Sequence, residues 1–202
     1  MLEERIRDRS AVIAVAGLGY VGLPLAYAFT DAGFKVIGLD VQERKTAMVN
    51  RGESYIEDIS SDELQRVVGT GRLSASTDFS LLGEADCVSI CVPTPIDRHS
   101  VPVTKYVSNV AEEIARAMKG IQLVVLESTT YPGTTEEVVL PLLEQGGRAV
   151  GRDFFLAFSP ERINPGSKTH SFRMVPRVVG GVTPRCTELA SALYETVVPS
   201  VH

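Results

Sequence analysis

An unbroken apolar run, Val12-Ile13-Ala14-Val15-Ala16, leads straight into Gly17-Leu18-Gly19-Tyr20-Val21-Gly22-Leu23-Pro24. A run of this kind reads as a strand buried on both faces, which requires helices on both sides of a parallel sheet. The glycines fall where such a strand must turn sharply into a helix. Gly17 permits the tight turn, Gly19 lets the backbone approach a pyrophosphate, and Gly22 lets the following helix pack closely. That helix would direct free N–H groups and its positive dipole end at the phosphates. The pattern predicts a dinucleotide site, although three glycines at this spacing also occur in ordinary turns. A second strand-like run, residues 34–39, ends in Asp40, about 20 residues beyond the motif, where a carboxylate can accept hydrogen bonds from an adenosine ribose. A carboxylate there repels a 2′-phosphate, so NAD is expected rather than NADP. The alternative reading makes Asp40 an ordinary strand-end or capping residue.

The remaining sequence agrees with this class. Strand patterns near 11–16, 34–39, 72–75, 86–92, 122–127, 154–158 and 177–180 alternate with helical patterns near 20–32, 41–51, 61–68, 104–119, 133–146 and 183–196. Residues 1–10 read as a short leading helix. Ser61, Thr104 and Thr183 are expected N-caps, with Pro184 at a first helical position; Gly120 and Gly146-Gly147 are expected helix stops. The expectation is an α/β fold of Rossmann type: a doubly wound, mostly parallel sheet with helices on both faces. In the absence of a repeat or a long linker, 1–202 reads as a single domain.

Composition narrows the function classes. The chain has 202 residues, 44% of them hydrophobic, and a net charge of −5. Its charges are interspersed, without the basic cluster that tracks a nucleic acid backbone. No apolar run approaches the roughly 20 residues needed to span a bilayer, and residues 1–10 are too charged for a signal peptide. A cytoplasmic protein with no membrane or nucleic acid partner is expected. Cys87, Cys91 and Cys186 lack metal-type spacing and read as buried reduced thiols, with no metal site.

In a sheet of this kind ligands bind beyond the carboxyl ends of the strands. The loops expected there carry small hydroxyl and proline residues: CVPTP at 91–95, ESTTYPGTTEEVVLP at 127–141 and DFFLAFSPERINPG at 153–166. With GLGYVGLP at 17–24 and GESYIEDIS at 52–60, these strings resemble the nucleotide-sugar 6-dehydrogenases, the UDP-glucose/GDP-mannose dehydrogenase family. The likeness covers nearly the whole chain. It is strongest to the branch that oxidises UDP-N-acetylglucosamine or UDP-N-acetylmannosamine, because Pro165 stands where the UDP-glucose branch has a second acidic residue.

The resemblance implies oxidation of a UDP-sugar C6 alcohol to a carboxylate with two NAD, through an aldehyde captured by a cysteine thiolate and a thioester that water hydrolyses. It implies that Gly17, Leu18, Gly19, Tyr20 and Val21 line the pyrophosphate, and that Asp40 and Lys45 reach the adenosine ribose. Thr94 matches a cofactor contact. Ser128 and Thr129 match the loop beside the nicotinamide, where a hydroxyl can position water or polarise the reacting oxygen. Thr129 and Glu161 match catalytic positions, Glu161 that of the glutamate usually assigned to water activation. Plainer readings stand beside these. Thr94 between two prolines can merely shape a loop, Ser128 and Thr129 can bond turn backbone, and Glu161 can pair with Arg162 or Arg173.

The family's GxGFGGxCxPKD motif does not occur here, nor does its central helix, through which relatives form a homodimer. Residues 197–202 read as the start of a further strand. The chain is therefore expected to be the amino-terminal, cofactor-binding part of such an enzyme and inactive alone. The competing readings are a stand-alone NAD-binding regulatory module and a dehydrogenase of the 6-phosphogluconate or 3-hydroxyacid type.

Overall fold

The structure, a computed structural model, describes residues 1–98, 102–161 and 175–202. Strands β1 (Val12–Ala16), β2 (Lys35–Leu39), β3 (Leu73–Ser76), β4 (Cys87–Ile90), β5 (Gln122–Leu126), β6 (Phe154–Phe158) and β7 (Gly180–Gly181) form one sheet. Their order is β3-β2-β1-β4-β5-β6-β7, and each pair is parallel except β6 with β7. The order reverses between β1 and β4, so the crevice of a doubly wound sheet opens beyond the ends of those two strands.

Alternation along the strands divides the core in two. Ile13 and Val15 of β1 join one buried cluster; Ala14 and Ala16 join the other. The first cluster packs under helices α1 (Leu2–Arg7), α2 (Gly22–Asp31), α3 (Glu43–Asn50), α4 (Ser61–Val68) and α7 (Pro184–Tyr194), through Ile6, Phe29, Val49, Leu64 and Leu193. The second packs under a 3₁₀ turn (Phe79–Glu84) and helices α5 (Lys105–Ala117) and α6 (Leu140–Leu143), through Leu82, Val107, Ile114 and Leu143. Burying each such side chain contributes about 1.5–3 kcal/mol. Both faces of the sheet are thereby covered, as the unbroken apolar strands require. Cys87, Cys91 and Cys186 are free thiols buried in this core.

Several sequence expectations need correction. The strand expected at 177–180 shrinks to Gly180–Gly181, because the preceding backbone pairs elsewhere. Arg177 N–H donates to the Ser200 carbonyl at 3.0 Å, His202 N–H to that of Arg177 at 2.8 Å, and Val179 N–H to that of His202 at 2.9 Å. The helix expected at 133–146 is a π-helical turn, Thr135–Val139, followed by the single turn of α6. Pro141 has no N–H to donate and its ring crowds the carbonyl four residues back. The helix widens ahead of it, and Leu140 N–H donates to the Thr135 carbonyl five residues earlier. Finally, Ser60 rather than Ser61 caps α4, in a reciprocal capping box with Glu63. Thr104 precedes α5 without a side-chain capping bond, whereas Thr183 caps α7 by accepting from Cys186 N–H.

Among the described residues no helix is long and apolar enough to cross a membrane. No cluster of three or more His, Cys, Asp or Glu side chains suited to a metal ion occurs among them either.

Candidate functional site

The turn from β1 into α2 needs two of its glycines for space alone. Gly17 has φ +98°, and a Cβ on it would lie 2.6 Å from the Cys91 carbonyl oxygen. A Cβ on Gly22 would lie 1.7 Å from the Gly17 carbonyl oxygen, so the first turn of α2 folds directly onto the loop that precedes it. Gly19 differs: a Cβ there would meet nothing within 4 Å. Its open face lies beside the α2 N-terminus, which has neither a side-chain cap nor an acidic residue in its first turn. That combination suits an anion. Tyr20 is exposed and Leu18 is fully buried. Gly38 of β2 makes room for Leu18, since a Cβ there would meet the Leu18 side chain at 2.9 Å.

Asp40 follows β2 and is 6% exposed. Its Oδ2 accepts from Leu18 N–H at 2.9 Å and from Lys45 Nζ at 3.1 Å, and its Oδ1 accepts from Gln42 N–H at 2.9 Å. A carboxylate offers about four acceptor sites, so Oδ1 has capacity for one further donor. Asp40 therefore both fixes the glycine loop and can receive a hydroxyl. Sequence reasoning missed the second tie on that loop, the Tyr55 hydroxyl donating to the Leu18 carbonyl at 2.7 Å. Burial, with the Asp40 charge second, pushes the Tyr55 phenol well above its usual range and keeps it a donor. Leu18 is thus held at both its N–H and its carbonyl. Beside Asp40 opens a cleft of about 920 Å³ whose lining includes Gly17, Asp40, Lys45, Phe79, Val92 and Tyr106. An open glycine face, an uncapped helix N-terminus, a carboxylate with spare acceptor capacity and a largely apolar cleft together fit a dinucleotide.

The other candidate residues follow β4, β5 and β6. Thr94 donates its hydroxyl to the Thr129 carbonyl, tying the loop after β4 to the loop after β5. Thr129 is exposed, whereas Ser128 is buried. The Ser128 hydroxyl lies 2.7 Å from the Val92 carbonyl oxygen and 3.2 Å from that of Ile90, so it serves loop backbone. Its plainer reading therefore has direct geometric support. Glu161 stands just beyond β6 with 9% of its side chain exposed. Its alternative partners Arg162 and Arg173, together with Pro165, lie outside the described residues.

Beneath Thr129 and Glu161 is a buried polar cluster that sequence reasoning did not single out. Glu127, fully buried at the end of β5, accepts from Arg177 Nη1 at 3.0 Å and from the Tyr194 hydroxyl. Burial pushes the Glu127 carboxyl up, against the opposing effect of the Arg177 charge. A glutamate directly after the apolar Leu123-Val124-Val125-Leu126 run was the available signal.

The loops thus take their places at the ends of adjacent strands, from Asp40 after β2 to Glu161 after β6. At about 4.8 Å between neighbouring strands, the row extends for about 19 Å.

A model of the NAD binding domain of the UDP-glucose/GDP-mannose dehydrogenase family matches residues 11–198. The chain is 38% identical over 187 residues to a UDP-N-acetyl-D-glucosamine 6-dehydrogenase from Pseudomonas aeruginosa, covering 92% of this chain and 43% of that protein. It is 39% identical over 193 residues to a UDP-N-acetyl-D-mannosamine dehydrogenase from Escherichia coli K12, covering 92% and 45% respectively. Among solved structures, an NDP-N-acetyl-D-galactosaminuronic acid dehydrogenase from Methanosarcina mazei superposes with a TM-score of 0.88 at 34% identity, covering 99% of this chain and 46% of that one. A 3-hydroxyisobutyrate dehydrogenase from Mycobacterium tuberculosis, at a TM-score of 0.66 and 19% identity, shares the fold alone. The chain spans less than half the length of the curated relatives it matches.

Proposed function

Because the chain belongs to the UDP-glucose/GDP-mannose dehydrogenase family, whose NAD-binding domain it carries, we propose that it forms, as one domain, the cofactor half of a UDP-N-acetylhexosamine 6-dehydrogenase. The proposed whole enzyme is a cytoplasmic homodimer that oxidises the C6 alcohol of the sugar to a carboxylate for polysaccharide precursor synthesis.

The observation that carries this reading is the row of loops. Asp40, the glycine turn, Thr94, Thr129 and Glu161 follow adjacent strands in the order β2, β1, β4, β5, β6. A dinucleotide laid along that row with its adenosine at Asp40 has its other end beside Thr129 and Glu161. Bound there, NAD would supply the oxidant for the C6 alcohol, a hydride acceptor. Gly17, Leu18, Gly19, Tyr20 and Val21 line the pyrophosphate, with Leu18 pinned by Asp40 and Tyr55. Asp40 receives a ribose hydroxyl and, with Lys45, sets the edge of the adenosine site. Thr94 and Ser128 hold the two loops beside the nicotinamide in register. Thr129 presents a hydroxyl to the reacting oxygen, and Glu161 takes a proton from the water that releases the acid product.

Similar identity to relatives acting on the glucosamine and the mannosamine sugars supports the UDP-N-acetylhexosamine class rather than one epimer. The test is stoichiometry. The longer enzyme, given each UDP-sugar and NAD, should yield two NADH per sugar acid, with N-acetylated substrates preferred over UDP-glucose, and the present chain should yield none. Sustained NADH production by this chain alone, or one NADH per turnover in the longer enzyme, would overturn the proposal.

A further inference from the structure

Arg177 is an arginine inside the protein, with 3% of its side chain exposed. Burying a guanidinium is strongly unfavourable unless it is paired and hydrogen-bonded, and Glu127 at 3.0 Å with Ser159 Oγ at 3.5 Å would meet that need. The side chain does more. Its other terminal nitrogen, Nη2, lies 3.8 Å from Glu161 Oε2, so one planar fork spans two carboxylates. The fork is itself seated: its cation sits 5.4 Å from the Tyr194 ring centroid, while the Tyr194 hydroxyl donates to the second Glu127 oxygen. Several of the described elements contribute to this seat. Glu127 comes from the end of β5, Ser159 and Glu161 from beyond β6, and Tyr194 from α7. Ser89 of β4 faces Glu127, and the Cys91 thiol is held neutral by its burial.

We propose that Arg177 is a positioning residue for Glu161: seated on Glu127 and Tyr194, it aims the Glu161 carboxylate at the edge of the active site. The proposal rests on the reading of Glu161 as the proton acceptor. A base that takes a proton from water must be both charged and aimed. A cation within 4–6 Å favours the charged form, and a second carboxylate nearby opposes it.

This can be measured on the chain as it stands, without turnover, by following the Glu161 side-chain carboxyl in an NMR pH titration, with its signal assigned by Glu161→Gln. Arg177→Met should raise the Glu161 midpoint by about one pH unit or more, and Arg177→Lys should restore much of the wild-type value. If Arg177 serves only the core, Glu161 will titrate as in wild type in both Arg177 variants, and the proposal fails. Near-UV circular dichroism identifies folded samples. Should Arg177→Met not fold, Arg177→Gln, polar but uncharged, replaces it: a raised Glu161 midpoint supports the coupling, and an unmoved one overturns it. The reading of Glu161 itself fails separately, if Glu161→Gln in the longer enzyme still releases the acid at the wild-type rate.

Discussion

Replacing Asp40 by asparagine preserves shape and removes charge, and the structure specifies the consequence. Oδ2 faces two donors, the Leu18 N–H at 2.9 Å and Lys45 Nζ at 3.1 Å, and Oδ1 faces a third, the Gln42 N–H at 2.9 Å. An asparagine has one acceptor oxygen and one NH₂ group. In one orientation the NH₂ confronts Leu18 and Lys45; in the other it confronts Gln42. The less costly orientation sets the NH₂ against Gln42 alone, so one charge-assisted bond is lost outright and two are weakened. A hydrogen bond to a charged group is worth about 1.5–3 kcal/mol, so folding should lose about 2–3 kcal/mol. The spare acceptor site on Oδ1 lies on the edge that the NH₂ then occupies. NAD affinity should therefore fall by a further 1–3 kcal/mol, roughly 5- to 150-fold. NADP should lose less affinity than NAD, because the charge that opposes its 2′-phosphate is gone. Urea denaturation measures the first quantity and calorimetric titration with both cofactors the second. A folded Asp40→Asn protein that binds NAD as tightly as wild type would remove Asp40 from the site. Equal losses for NAD and NADP would refute the charge argument.

The other predictions concern neighbouring features. Gly22→Ala places a Cβ on the Gly17 carbonyl oxygen; overpacking against backbone should cost 3 kcal/mol or somewhat more and abolish NAD binding, whereas Gly19→Ala should fold normally and lose affinity alone. Thermal denaturation of both variants, each with an NAD titration, checks the contrast. Ser60→Ala removes the cap of α4 and should cost about 0.5–2 kcal/mol with NAD affinity unchanged, read from the same two measurements. Burial raises the Glu127 carboxyl, so the native state holds its proton more tightly than the unfolded chain, whose ordinary value is 4.5. The stability this group contributes is present below 4.5 and is lost as pH rises through the raised native value. The stability of wild type relative to Glu127→Gln should accordingly fall with rising pH across that window in urea titrations, and a difference that rises with pH would show the sign to be wrong.

What the sequence made legible was local or periodic. The unbroken apolar run of β1 read as a strand buried on both faces, and in the structure Ile13 and Val15 join one buried cluster while Ala14 and Ala16 join the other. The spacing from the glycine motif picked out Asp40, because the loop and the next strand end are neighbours in any sheet of this kind. Contacts between distant segments were not legible. Tyr55 reaches Leu18 across 37 positions, Arg177 reaches Glu127 across 50, and Tyr194 reaches Glu127 across 67. No local pattern marks such pairs. Ser128 drew attention by its residue type and loop, and its burial and two carbonyl neighbours match the plainer of its two readings, a role in tying loops. Small displacements had equally physical causes. The Glu63 side chain selects Ser60 over Ser61 as the cap, Pro141 widens the helix before it, and the backbone at 200–202 draws 177–179 away from β6.

The proposed function requires this chain by itself to present a binding surface for NAD along its strand ends. Calorimetric titration of the purified chain with NAD, with NADP and a UDP-N-acetylhexosamine in parallel, tests it most directly. The account predicts saturable one-to-one binding of NAD, at least tenfold weaker binding of NADP, and no comparable response to the sugar nucleotide. A folded sample that fails to bind NAD, or that binds NADP as tightly, would contradict it.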